Sequence, residues 1–246
     1  DTQTLPVVRV AIGMDPAEVM ENSSYPVELY NDSLKWGNVD PKYLLDYDTT
    51  MSNSDVDFDI VGPHPFRIEN VSMWSIQPEF DRINTFQGKI DRLTLDDAFV
   101  RVKKWAERIE QAGWVRGKNK YDQWTSTSLY TNKLSYLGSD EELRQQFLRR
   151  DNLEAKSGSY GIWYSEDGRQ RVIIGVFHLT ESNLRRWPDT SKPSDPFNDP
   201  TYMIKFIVMY TDEILKEQQQ NYETLKQEAL RKAIERRKQA TGDSGK

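Results

Sequence analysis

The sequence predicts an α+β fold: a mostly antiparallel β-sheet with helices packed mainly on one face, long irregular loops and a long C-terminal helix. Three stretches carry that prediction. Leu93 to Trp114 repeats apolar residues at helical spacing, with Ala98, Phe99, Val102, Trp105, Ala106 and Ile109 on one stripe and Arg101, Lys103, Lys104, Glu107 and Glu110 off it. Ser159 to Thr180 consists of two apolar runs on either side of Glu166-Asp167-Gly168-Arg169, where Asp-Gly supplies the positive φ of a hairpin turn. Tyr202 to Tyr210 is an almost wholly apolar run that leads directly into a helical pattern opening at Thr211.

Taken in order, Leu5 to Ile12 is rich in β-branched residues and reads as a strand, ended by Gly13-Met14-Asp15-Pro16. The next forty residues are irregular and aromatic. They hold one short element of undetermined type over Val27 to Trp36 and a loop over 37–54. Asp55 to Ile60 alternates, which places Val56, Phe58 and Ile60 on one face and Asp55, Asp57 and Asp59 on the other. Gly62 to Pro65 is a turn. Phe66 to Ile76 and Phe80 to Leu93 read as strands separated at Gln77-Pro78.

Thr94 is the N-cap of the central helix, Asp96 and Asp97 suit the positive end of its dipole, and Gly113 closes it. Beyond Trp114 the pattern gives a strand within Gln123 to Leu137. A short helix follows from Ser139, whose hydroxyl and Glu142 form a capping box. Val172 to Leu179 is apolar on both faces, as a central strand requires. The four prolines of 181–201 make an extended crossing. The last helix is expected over Thr211 to Gln239. At 1.5 Å per residue it would be roughly 43 Å long, and its end from about residue 226 would project past the core. One elaborate domain over 1–240, with possible halves 1–114 and 115–240, and a disordered tail at 241–246 complete the expected organisation.

Composition narrows the function. The 246 residues include no cysteine, which excludes disulfides, thiolate zinc sites and cysteine nucleophiles. No apolar run is long enough to span a membrane. Residues 1–90 carry 15 acids against 6 bases, and the remainder 24 against 27. The bases are mixed with acids rather than gathered into a stripe, so nucleic acid is not an expected partner. The sequence contains no G-x-S-x-G, P-loop, H-E-x-x-H or dinucleotide fingerprint, and it implies no cofactor.

The candidate sites are therefore surfaces. Asp55, Asp57 and Asp59 are the candidate metal ligands, because three carboxylates on one strand face offer the oxygens a hard cation takes; the alternative is a charged edge that discourages edge pairing. Arg185, Arg186 and Trp187, at the head of the proline-rich crossing, are residue types enriched at interface centres. Leu230 and Ile234 belong to a thin apolar stripe suited to a partner groove or a second copy of the chain. Of the two histidines, His64 sits between prolines in a turn and His178 in the apolar strand.

The reading that results is a non-enzymatic interaction or adaptor protein of the bacterial cell envelope or secretion apparatus. It would be extracytoplasmic, periplasmic or secreted, and possibly anchored by a segment absent from this chain. It would bind a protein partner through its loops and C-terminal helix, with self-association through that helix as a further possibility. The alternative is a carboxylate-dependent hydrolase acting on glycans, which needs no local motif. Acidic pairs with raised pKa lining a deep cleft would favour the hydrolase, and scattered surface acids the interaction protein.

Overall fold

The structure is a computed structural model that describes residues 4–29, 50–117, 133–134, 141, 144–145, 157–178 and 201–240. Its architecture is the α+β arrangement of the sequence reading, built on two sheets. The smaller contains β1 (Val7–Val10), β3 (Val56–Ile60) and β4 (Phe66–Val71), with β1 parallel to β3 and β3 antiparallel to β4. The larger runs in the order β2 (Thr50–Ser52), β5 (Met73–Glu79), β6 (Arg82–Leu93), β11 (Tyr202–Tyr210), β10 (Gln170–His178), β9 (Ser157–Tyr164) and β7 (Val115–Arg116), each neighbour antiparallel. The two-residue β8 (Lys133–Leu134) adds to β9 in parallel. The helices are α1 (Pro16–Asn22), α2 (Leu95–Gln111), α3 (Asp212–Gln220) and α4 (Tyr222–Ala240).

Helix α2 forms for the reasons its sequence supplies. The Thr94 hydroxyl accepts from the Asp97 backbone N–H at 3.1 Å. Leu95, Ala98, Phe99, Val102, Trp105, Ala106 and Ile109 are all buried. Trp105 meets Phe206 of β11 edge to face, with ring centroids 5.7 Å apart, and Phe99 meets Tyr160 of β9. Each large side chain on that stripe contributes roughly 1.5–3 kcal/mol. The same face of the large sheet is also covered by the small sheet, whose Phe58 packs against Trp74, Phe86 and Phe206. Gly88 of β6 is packed tightly between its own sheet and the small one: a Cβ there would stand 2.4 Å from Phe206 Cε1 of β11 and 2.6 Å from Val71 Cγ1 of β4. Strand β10 lies between β9 and β11, and Val172, Ile173, Ile174 and Val176 are buried on both of its faces, as expected of a central strand.

Four details depart from the sequence reading. The single strand expected over Phe66 to Ile76 is two strands in different sheets, parted beside Asn70, whose φ is +58°. The expected break at Gln77-Pro78 is a β-bulge inside β5; the chain reverses instead at Phe80, φ +57°, and Asp81. The span assigned to no element after Gly13 contains α1, for which Asp15 caps Ala17 N at 2.8 Å and Pro16 opens the first turn.

The C-terminal helix is present, but it breaks at Asn221 into α3 and α4. Rather than projecting freely from residue 226, α4 crosses the β5–β6 turn. The Tyr222 ring packs tilted against Phe80 with centroids 5.0 Å apart. Fourteen residues later, roughly 21 Å along the helix, Arg236 donates to Asp81 at 2.9 Å and also pairs with Asp15. Ala229, midway between, is buried. The strand expected in Gln123 to Leu137 and the helix from Ser139 fall largely outside the described residues, as do the proline-rich crossing and the 241–246 tail.

Candidate functional site

A solvent-open groove of about 440 Å³ is formed where four separated segments meet. Ala11 and Ile12 come from the end of β1, Val61 to His64 from the β3–β4 turn, Trp114 from just beyond α2, and Ser165 to Asp167 with Gln170 from the β9–β10 hairpin. Its lining is mainly apolar, with Ile12, Val61, Pro63 and Trp114, and it also carries the Glu166 and Asp167 carboxylates.

Each wall has a local cause. Gly113 ends α2 at φ +95°, where its Cα lies so near His64 that a Cβ would stand 2.8 Å from Nδ1. That close approach sets the imidazole against the helix end, and Nδ1–H donates to the Ala112 carbonyl at 2.9 Å. A carbonyl can only accept, so Nδ1 carries the proton and Nε2 faces the Glu166 carboxylate at 3.4 Å. The Trp114 indole N–H donates to the His64 carbonyl at 2.9 Å, and its ring meets Phe66 edge to face. On the hairpin, the Ser165 hydroxyl donates to Asp167 at 2.6 Å and accepts from Gln170 N at 2.9 Å. The Ser165 bond first, and then the Arg169 backbone N–H, hold the Asp167 carboxyl below its ordinary pKa, so it is an anion in neutral solution. Glu166 is 83% exposed. Ser165 and His64 line one groove, yet the serine hydroxyl is committed to Asp167 rather than to the imidazole, so the pairing a serine nucleophile requires is not made.

The residues singled out in the sequence are distributed elsewhere. Asp57 and Asp59 share the solvent side of β3, as the alternation implies, and Asp55 immediately precedes the strand. Arg67 of β4 grips Asp59 through two bonds, 2.5 Å from Nε and 2.8 Å from Nη2, while Asp57 accepts from Asn70 N and lies 3.9 Å from Arg67. The Arg67 bonds hold Asp59 below its ordinary pKa. Among the described residues no group of three or more His, Asp or Glu side chains is arranged to hold a metal ion. Leu230 and Ile234 are half-buried on α4, about 140° and 180° round the helix from Leu225 at 100° per residue. Leu225, Ala229, Leu230 and Ile234 all lie on the covered half of α4, and Thr224, Gln227, Glu228, Arg231, Lys232, Glu235 and Lys238 make its exposed half. Arg185, Arg186 and Trp187 lie outside the described residues. His178 packs its ring against Tyr202, centroids 4.8 Å apart. Trp74 and Trp114 are buried, and each indole N–H is bonded to a backbone carbonyl.

Among the described residues two carboxyls have raised pKa values, Asp81 and Asp91, both chiefly through burial. Neither lines the groove. None of the known protein families matches the chain, and neither a curated protein nor a solved structure is similar to it at a significant level. No helix among the described residues is long and apolar enough to cross a membrane.

The sequence did not assemble this groove. His64, Trp114 and the Glu166-Asp167 turn are each conspicuous in it, but they lie 50 residues or more apart, and only tertiary contacts, among them Gly113 and Trp114 on His64 and His64 on Glu166, bring them together.

Proposed function

We propose that the chain is a non-enzymatic interaction protein that takes an extended, lysine- or arginine-bearing segment of a protein partner into the groove between the β3–β4 turn and the β9–β10 hairpin. The observation that supports this is the groove's chemistry. Its apolar lining accepts side chains, and one exposed carboxylate and one carboxylate kept ionised accept cations. Leu230 and Ile234, both half-buried on α4, are a second contact surface in this reading, and Arg185, Arg186 and Trp187 a third. A place at the bacterial cell envelope, with the partner belonging to the envelope or its secretion apparatus, is part of the same proposal. The glycan-hydrolase alternative gains no support, because the carboxyls with raised pKa stand apart from the groove.

The test is site-specific photocrosslinking in the native source. A crosslinker at Glu166 is expected to trap a discrete protein, and one at Val100, exposed on α2, to trap none. Glu166→Lys should abolish a labelled partner's binding while leaving the melting temperature unchanged. Equal capture from both positions, or glycan cleavage by the purified protein, would overturn the proposal.

A further inference from the structure

A feature the groove does not explain lies on β6 and β11, neither of which contributes a residue to it. Lys89 and Lys205 are register partners on these adjacent central strands. Along β11, Phe206 faces α2, so by strand alternation Lys205 points to the opposite face of the sheet, together with Met203, Ile207 and Met209. Two like charges directly opposite on a sheet repel, and these two are half-buried rather than free to swing into water. Their outer cross-strand neighbours carry no charge. Met73 pairs with Lys89 on β5, and Gly175 with Lys205 on β10. Ile207 is buried beside them, and Gln87 is bonded to Ser75 at 2.9 Å. Asp91, two residues from Lys89 on the same face of β6, forms no ion pair with it; burial raises its pKa, and Arg92 and, more weakly, Lys89 oppose that shift from a distance. Neither ammonium has a carboxylate partner among the described residues. Burial, and then Lys89, push the Lys205 ammonium down to a pKa of about 8.

We propose that Lys89 and Lys205 together form a binding site for a phosphate-class oxyanion on the sheet face turned away from α2. Each ammonium offers three donors and no acceptor. A doubly charged oxyanion set between them supplies acceptors to both and converts a repulsion into two charge-assisted contacts. A neutral ligand would leave the repulsion standing. The same chemistry serves a free phosphate and a phosphoryl group carried on a larger molecule.

The experiment is thermal melting of the full chain in a phosphate series against sodium chloride at matched ionic strength, with glycerol 3-phosphate as a parallel arm. A ligand of the folded state raises the melting temperature with its concentration. Phosphate should therefore raise it well beyond chloride. Lys89→Met and Lys205→Met should each melt higher than the parent without phosphate, because the repulsion is gone, and each should lose most of the phosphate response. The double variant should lose it entirely, and Lys205→Arg, which keeps the charge, should retain it. A glycerol 3-phosphate response at least equal to that of phosphate assigns the site to a phosphoryl group on a larger molecule; a response to phosphate alone assigns it to the free ion. Phosphate and chloride acting alike, or an undiminished phosphate response in the double variant, would show an adventitious ion only and overturn the proposal.

Discussion

Arg236 provides the sharpest test of how the last helix is held. It donates to Asp81 at the β5–β6 turn and pairs with Asp15, the N-cap of α1. One side chain late in the sequence therefore ties α4 to two segments from the first third. Asp81 is the sensitive member, its side chain only 7% exposed while Arg236 is 45% exposed. Arg236→Ala leaves a buried carboxylate beside a second acid with its cation removed. Breaking a buried pair costs about 3–5 kcal/mol. Because the arginine itself is half in water, solvent screens part of the interaction, and a loss of about 1–3 kcal/mol is the expected range. With a urea m-value of about 2 kcal/mol/M, the midpoint falls by about 0.5–1.5 M.

The sign of the pH dependence is fixed by Asp81. Burial is the leading cause of its shift and raises its pKa in the folded state, with Arg236 the strongest opposing influence. A group with a raised folded pKa stabilises the fold fully below its unfolded pKa, and that contribution is lost as pH rises through the folded value. Removing Arg236 takes away the opposing influence, so the variant's Asp81 protonates at higher pH still. The difference between parent and variant is therefore largest near pH 7 and shrinks as pH falls into the carboxylate range. Urea melts of Arg236→Ala at pH 7 and pH 4.5, with Asp81→Asn and the double variant to close the cycle, measure both effects. A loss under about 0.5 kcal/mol at pH 7, or one equal at the two pH values, refutes the clamp.

Four further outcomes follow from the packing. Gly88→Ala should destabilise by about 1–3 kcal/mol in denaturant melts, because its Cβ meets Phe206 and Val71 well inside contact distance. Trp105→Ala should cost about 3–5 kcal/mol by the same measurement, since the indole is buried against Phe206. Calcium should leave the melting curve of the parent unchanged, because Arg67 already occupies the Asp59 oxygens; a rise that Asp57→Asn removes would restore the metal site. Truncation after Gln227 should lower the melting temperature, because it removes buried Ala229 and the Arg236 clamp together; an unchanged melt would show that α4 adds nothing to the fold.

Local rules read the elements well where one face pattern decides the outcome. The α2 stripe, its Thr94 cap and its Gly113 stop all stand in the structure, as do the β9–β10 hairpin and the two-faced burial of β10. The rules failed where two choices are locally equal. Phe66 to Ile76 is continuously strand-like, and only the αL turn at Asn70 and the demand of two different sheets divide it. Pro78 reads as a break, yet a bulge carries it inside β5. The stripe of α4 is thin enough to suggest a partner for the whole helix. One of its faces is satisfied internally by Phe80, Asp81 and Asp15, which lie 140 residues or more away in the chain, so no window of sequence could show the match.

The groove extends that reasoning to function. Its four segments are fixed by contacts that do not involve a ligand: Gly113 on His64, Trp114 on the His64 carbonyl, and Ser165 within its own turn. A site so supported is formed before binding, and a partner segment would lose little affinity to ordering it. The one adjustable member is Glu166, whose carboxylate is mostly in water and faces His64 Nε2. Gly113→Ala separates these two properties. It places a Cβ on the imidazole and strains a φ of +95°, so the His64 wall must shift while the Glu166 carboxylate keeps its place on the hairpin turn. If the preformed wall carries affinity, this variant should bind a crosslink-identified partner at least tenfold more weakly, at the cost of about 1–2 kcal/mol of stability. If the exposed carboxylate alone carries it, Glu166→Gln should weaken binding as much as Glu166→Lys, and Gly113→Ala should bind like the parent.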